Sequence, residues 1–506
     1  MKHYLAVAFL FLALSSYAQY PYDNKRGNVW LSGYNEGTVS QPLFGVTQLK
    51  FDQDTFAISK VDTLADFEET IAIACDTDGS LLFSTNGIWV YDKNFKQMAG
   101  SDTLNPGLWS EATADEGYPV SQGALILNQP DNSNIYFLFH SRIRDDARCE
   151  GVYYTVIDMN IPAVTSLRNP IVNNTVLENG KLSACRHANG RDWWVIFWKS
   201  GTNMYRRSLL SPNGLNDLGW DTVGLPLSPD LPLSQSCFSP DGSKYAVFDD
   251  YYSYVLDVYD FDRCDGRLSN QIRLNENDTC YSGGCAFSPS GKYLYVACSK
   301  EIFQYDLFSP DIQASRQTVA TWDGFIDPDF ALGSTYFHLL EETPNGKIIC
   351  NTPNGTRFLH LINEPDSLGV ASDVQQHYIH LNTFNARSIP NYPNFRLGPV
   401  DGSVCDTLGI DVGIAEPPKQ TYNPQADLEV YPNPAGNYCN IGFGSTLKQD
   451  GVLIVHDLND HTIFETPIQK ATIGYTLKTE SYTPGMYLCT VYEGSKAKGG
   501  VRFVKE

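Results

Sequence analysis

The sequence predicts an all-β chain, a seven-bladed β-propeller followed by a small Ig-like β-sandwich. Three observations carry that reading. A strand–turn–strand pattern recurs six times through the middle of the chain. Aromatic residues make up 13% of the 506 positions, beside 40 Gly and 28 Pro, the turn-rich profile of chains built from short strands. A Pro-rich stretch over 414–425 then separates a last segment in which apolar and polar residues alternate.

The six copies begin at Ile71, Ala124, Leu182, Ser236, Cys285 and Leu339. Their turn residues are Gly79, Asn134, Gly190, Gly242, Gly291 and Gly346, spaced 49 to 56 residues apart. Each copy has a strand, a turn whose Gly or Asn accepts positive φ at little cost, and a second strand rich in Tyr, Phe, Trp and Val. A further polar-edged strand follows, as at Ser253 and Glu301. One sheet of four short strands cannot bury both of its faces. Packing such sheets radially buries them against one another and shortens the exposed edges. The span Asn28–Val400 holds about seven such units. A β-solenoid or tandem sandwiches are the alternatives, and their usual periods fit this spacing less well.

The amino terminus reads as an export signal over residues 1–18. Lys2 precedes an apolar run from Tyr4 to Leu14, and Ser16-Tyr17-Ala18 places small residues at the cleavage positions. That run is shorter than the roughly 20 residues that span a bilayer. Gln19, not Cys, follows the cut, which argues against a lipid anchor, and no later transmembrane segment is seen. The expected propeller is 19–413, the linker 414–425 and the sandwich 426–506.

A net charge of −22 argues against nucleic-acid binding and against docking on anionic lipid. All 12 cysteines follow the signal, as an oxidising compartment allows, without fixing any pairing; Cys75, Cys237, Cys298 and Cys350 sit in strand-like runs, and Cys439 and Cys489 both fall in the tail. No nucleophile elbow, zinc helix or phosphate loop occurs, so no catalytic residue, cofactor or metal is expected. Asp76-Thr77-Asp78-Gly79 begins like a calcium loop but lacks the later ligands, and reads as a β-turn.

The segments Phe238–Tyr245 (FSPDGSKY) and Phe287–Val296 (FSPSGKYLYV) resemble the blade repeat of lactonase-like, TolB-like and surface-layer propellers. Gly190–Trp194, Phe261–Cys264, Asn394–Pro399 and Cys405–Gly409 are similar to segments of exported bacterial propellers with no assigned activity. The tail resembles the type A C-terminal sorting domain of the type IX secretion system. The matching residues are Tyr431, Pro432, Asn433 and Pro434, then Gly485 and Tyr487, and the closing Arg502-Phe503-Val504-Lys505. That resemblance implies transport across the outer membrane by the type IX machinery, then release or attachment at the surface.

A ligand of a propeller is expected in the central funnel, lined by the innermost strands. Polar residues at or beside the starts of those strands are Gln122, Lys181, Arg186, His187, Gln235 and His338, the candidate ligand-binding set. His187 and Arg186 have a plainer role open to them, capping the turn at Asn189-Gly190. Of Trp193, Trp194 and Trp198, at most one or two are expected to be exposed. The acid pairs Glu68-Glu69, Asp249-Asp250 and Glu341-Glu342 read as solvated edges. Two functions remain: a secreted or surface-attached recognition module for glycan, peptide or envelope polymer, and a hydrolase or lactonase-like enzyme. Three or more His, Asp, Glu or Arg side chains gathered in the funnel would favour the enzyme.

Overall fold

The computed structural model describes residues 25–34, 42–52, 55–63, 65–227, 235–249, 255–275, 280, 283–406, 428–431, 433–443, 446–457, 461–472, 474–494 and 496–505. The expected signal peptide, the linker 414–425, Asp250 and Pro432 lie outside these residues. The chain divides into two compact units, Met1–Ile410 and Asp411–Glu506.

In the first unit the described residues form seven antiparallel sheets, each made from consecutive strands. The fourth is representative: Ser183–Arg186, Trp193–Trp198, Met204–Ser211 and Gly214–Thr222, in that order from the axis outward. The predicted turn glycines Gly79, Gly190, Gly242, Gly291 and Gly346 all have φ between 69° and 81°, the region where a Cβ is penalised. The innermost strands of the second to seventh sheets are Ala72–Cys75, Ala124–Asn128, Ser183–Arg186, Gln235–Phe238, Gly283–Phe287 and Leu340–Glu342.

Seven buried apolar clusters lie between neighbouring sheets, and together they close a ring. The closing cluster packs Leu339, Ile349, Leu359 and Leu361 of the seventh sheet on Trp30, Leu49 and Phe51 of the first. A sheet in such a ring is covered on both faces, so alternation along its strands does not separate inside from outside. The three tryptophans fall within the expected bound of at most one or two exposed. Trp193 enters the cluster on one side of the fourth sheet, Trp194 and Trp198 the cluster on the other, and none is more than 2% exposed.

Two disulfides are closed in this unit, Cys264–Cys405 and Cys280–Cys298. Cys75 and Cys350 are small buried core residues. Asp76 holds its turn as the β-turn reading requires, its Oδ1 accepting from the N–H groups of Asp78 at 3.0 Å and Ser80 at 2.8 Å.

The second unit is a two-sheet sandwich. One sheet orders Glu429–Tyr431, Tyr438–Gly442 and Gly474–Lys478; the other orders Thr462–Ile468, Gly451–His456, Gly485–Glu493 and Lys496–Lys505. Between them lies one core containing Ile441, Phe443, Leu453, Val455, Val491 and Phe503. Cys439 and Cys489 are buried in that core as free thiols.

Candidate functional site

The first sheet is the exception in the ring. It has three strands, Val29–Ser32, Val46–Phe51 and Phe56–Val61, and Gly33 pairs antiparallel with Phe67 just ahead of the second sheet's inner strand. Val29–Ser32 thus runs against the inner strands, as the second strand of a blade does. The inner place beside it is taken by the chain returning from the seventh sheet. Ser388 lies beside Ser32 (Oγ to Oγ 3.5 Å), Tyr392 donates its hydroxyl to Val29 O at 2.7 Å, and Arg396 donates to Asn28 Oδ1 at 3.3 Å.

This returning segment fills the axis. Asn391 donates both Nδ2 protons, to Ala124 O at 3.0 Å and Leu182 O at 2.9 Å, and its Oδ1 accepts from Gln122 at 3.3 Å. Asn394 donates to Pro240 O at 2.8 Å, Arg396 to Pro344 O, and Arg263 to Gly398 O. Val400 N–H then reaches Ala188 O at 2.8 Å, and the Cys264–Cys405 disulfide ties down the end.

What remains on the axis is a cavity of about 220 Å³. Its wall on the blade side includes Arg186, Cys237, Phe287, Glu341 and Glu342, and on the segment side Tyr392, Phe395 and Arg396. Burial lifts the Glu341 carboxyl well above the usual carboxylate range, with the neighbouring Glu342 adding to the effect. Burial raises Glu342 to about 7, against the pull of Arg396. The two acids expected on a solvated edge are instead half-buried and line the axial cavity. The same correction applies to Glu69, 5% exposed and raised to about 7 by burial, and to Asp249, 2% exposed.

Of the six candidate ligand residues, Gln122 and Arg186 line this cavity. Gln122 also ties the fifth sheet to the axis, donating to Ser236 O and accepting from Ser236 N–H, both at 2.9 Å. Arg186 stacks 3.7 Å over Trp193 and donates to Arg191 O at 2.6 Å. His187 caps its turn, Nδ1 accepting from Asn189 N–H at 3.0 Å, and burial lowers its pKa. The other three are internal. Gln235 is fully buried, donating to Leu340 O at 2.6 Å and accepting from the N–H groups of Cys285 and Leu340 at 3.1 Å. Lys181 pairs with Glu178 at 3.2 Å with both side chains fully buried. His338 is fully buried and held neutral, its pKa lowered to about 3 by desolvation. Strand starts near the axis are where neighbouring sheets must be joined, and Gln235 joins the fifth sheet to the sixth and seventh. Sequence reasoning passed over Asn391 and Tyr392, and gave Phe395 and Arg396 no site role although they fall in the family-like segment Asn394–Pro399. For Asn391 and Tyr392 the signal was a Pro-rich run without strand alternation after the last blade.

Among the described residues no group of three or more His, Cys, Asp or Glu is placed to hold a metal ion, and no helix is long and apolar enough to cross a membrane.

In the second unit the three tail motifs converge on the last strand. Asn433 Oδ1 accepts from Val504 N–H at 2.9 Å, Ala435 N–H donates to Val504 O at 2.6 Å, and Gly485 pairs with Lys505. Tyr487 stacks on Phe503 with centroids 5.5 Å apart and donates its hydroxyl to Thr483 O at 2.8 Å. Tyr431 closes the first strand of the smaller sheet, opposite Asn440. Residues 429–506 match the secretion system C-terminal sorting domain. The sorting domain marks the chain for the type IX route to the cell surface or the extracellular space.

No curated protein matches the sequence. Among solved structures, the Cps50 (Swd1) β-propeller domain of Myceliophteria thermophila is similar over 65% of this chain and 91% of its own, at 10% identity and TM-score 0.40. The periplasmic gluconolactonase PpgL of Pseudomonas aeruginosa is similar over 71% and 99%, at 11% identity and TM-score 0.39. A functionally unknown protein from Desulfotomaculum acetoxidans is similar over 67% and 94%, at 13% identity and TM-score 0.40.

Proposed function

We propose that the propeller is an exported recognition module, and that it takes the end of a glycan, peptide or envelope polymer into the axial cavity. The observation that carries this reading is the axial segment. It closes the channel with the chain's own hydrogen bonds and leaves a cavity of about 220 Å³. That is below the roughly 300–1,000 Å³ of drug-sized ligand pockets, so a terminal unit suits it better than a polymer run along its length. Aromatic faces at Tyr392, Phe395 and Phe287 beside the carboxyls of Glu341 and Glu342 suit a polar ligand with an apolar face.

One observation favours the second reading, a hydrolase. Arg186, Arg396, Glu341 and Glu342 all line the cavity, which meets the charged-cluster criterion for an enzyme. Both arginines are engaged by backbone carbonyls, which leaves the carboxyl pair as the acid–base candidates. One experiment separates the two readings. The full chain and Glu341→Gln are incubated with glycans, peptides and envelope polymers, and retention and product masses are read from the same samples. Recognition predicts retention without mass change, kept within a few-fold by Gln, which reproduces a neutral carboxyl. Hydrolysis predicts new masses that vanish in Glu341→Gln. Neither retention nor product would overturn both.

A further inference from the structure

Cys237 and Cys285 lie on the inner strands of the fifth and sixth sheets, with their sulfurs 3.7 Å apart. The two strands are neighbours in the ring, and Gln235 holds their spacing by accepting from Cys285 N–H at 3.1 Å while donating to Leu340 O of the seventh sheet at 2.6 Å. Cys285 is buried in the cluster between the sheets; Cys237 packs on that cluster and lines the axial cavity. Sulfurs at van der Waals contact need to close by roughly 1.6 Å to reach bonding distance, a shift that side-chain rotation supplies when the strands are already adjacent. Four cysteines of this unit are already joined in disulfides, so the propeller accommodates oxidised pairs both at its turns and beside its strands.

We infer that Cys237 and Cys285 are a dithiol modification site, convertible by a small disulfide reagent into a third propeller disulfide that links two blades at the cavity wall. The chemistry balances as two exchanges. Cys237 thiolate attacks one sulfur of the reagent and expels a thiolate; Cys285 thiolate then attacks Cys237 Sγ of the mixed disulfide and expels the second. Two S–H bonds and the reagent's S–S bond are lost, one S–S bond forms between the cysteines, and the two electrons and two protons leave with the reagent as two thiols. The cavity is the entry path, which makes Cys237 the thiol that reacts first. Burial pushes the Cys237 thiol well up, so exchange is slow at neutral pH and faster in mild alkali. The other six thiols, Cys75, Cys149, Cys185, Cys350, Cys439 and Cys489, are buried.

The test uses the full chain. It is incubated at mildly alkaline pH with or without oxidised glutathione, denatured with an alkylating agent, and examined by intact mass and peptide mapping without reduction. The untreated chain is expected to take eight alkyl groups, one for each free cysteine. The treated chain is expected to take two fewer and to yield a peptide joining Cys237 to Cys285. Cys285→Ser is expected to trap glutathione on Cys237 instead, with no new crosslink. Eight alkyl groups after oxidation would overturn the inference. So would loss of a pair mapped to Cys439 and Cys489, or a crosslink that survives Cys285→Ser. If that variant does not fold, the wild-type peptide map decides alone.

Discussion

Asn391 is the residue on which the axial segment depends most, and its substitution tests whether that segment holds the ring together. The side chain is 6% exposed and makes three hydrogen bonds, to Ala124 O, Leu182 O and Gln122. These partners belong to the third and fourth sheets, whereas the segment's other contacts reach the first, fifth and seventh and the fourth sheet's turn at Ala188. Asn391→Ala removes all three at once where little water can replace them. At about 1 kcal/mol per bond, the loss is about 3 kcal/mol, a large share of the ~5–15 kcal/mol that holds a domain folded. Asn391→Asp is nearly isosteric but turns the two donated protons into a carboxylate facing two carbonyls, and is expected to cost more than Ala. Denaturant unfolding followed by tryptophan fluorescence reads the effect on the propeller alone, because all eight tryptophans precede residue 410. An Ala variant within about 0.5 kcal/mol of the parent would refute the reasoning, since that is the range of an ordinary surface change. So would an Asp variant as stable as the parent.

The remaining predictions concern charge, crosslink and tail. The Glu69 carboxyl is raised to about 7 by burial, so the folded chain holds this proton more tightly than the unfolded chain. Its contribution therefore falls as pH rises from about 4.5 to 7, by about 3 kcal/mol in all, and Glu69→Gln should flatten that part of a pH–stability profile. A slope unchanged in Gln would contradict this. Cys264→Ser opens a crosslink spanning 141 residues, and chain entropy sets a ceiling of about 5 kcal/mol on the loss. Differential scanning calorimetry should show the propeller transition lowered, with the sorting-domain transition unmoved. Asn433→Ala removes the acceptor for Val504 N–H, and hydrogen exchange at Val504 should accelerate by about tenfold, equivalent to ~1.4 kcal/mol.

Sequence by itself determined the sheets, their count and the tail. Strand–turn–strand copies are local, and the turn glycines take positive φ at the positions their spacing predicts, so six blades were legible one by one. The first sheet carries no such copy because it begins with what is a blade's second strand. Its presence followed only from the arithmetic of the span. The tail motifs were legible as strings, and the structure joins Asn433, Gly485 and Tyr487 around one closing strand. Only the tertiary structure decided what occupies the axis. Burial is set by what packs against a strand from distant parts of the chain. Polar residues at strand starts, such as Gln235 and His338, therefore became internal, while Glu341 and Glu342 came to face a cavity. A returning segment with no periodicity announces no partner in the sequence. Its partners are backbone carbonyls of Ala124, Leu182, Pro240 and Pro344, groups every residue carries, and they become specific only once the ring has placed them around one axis.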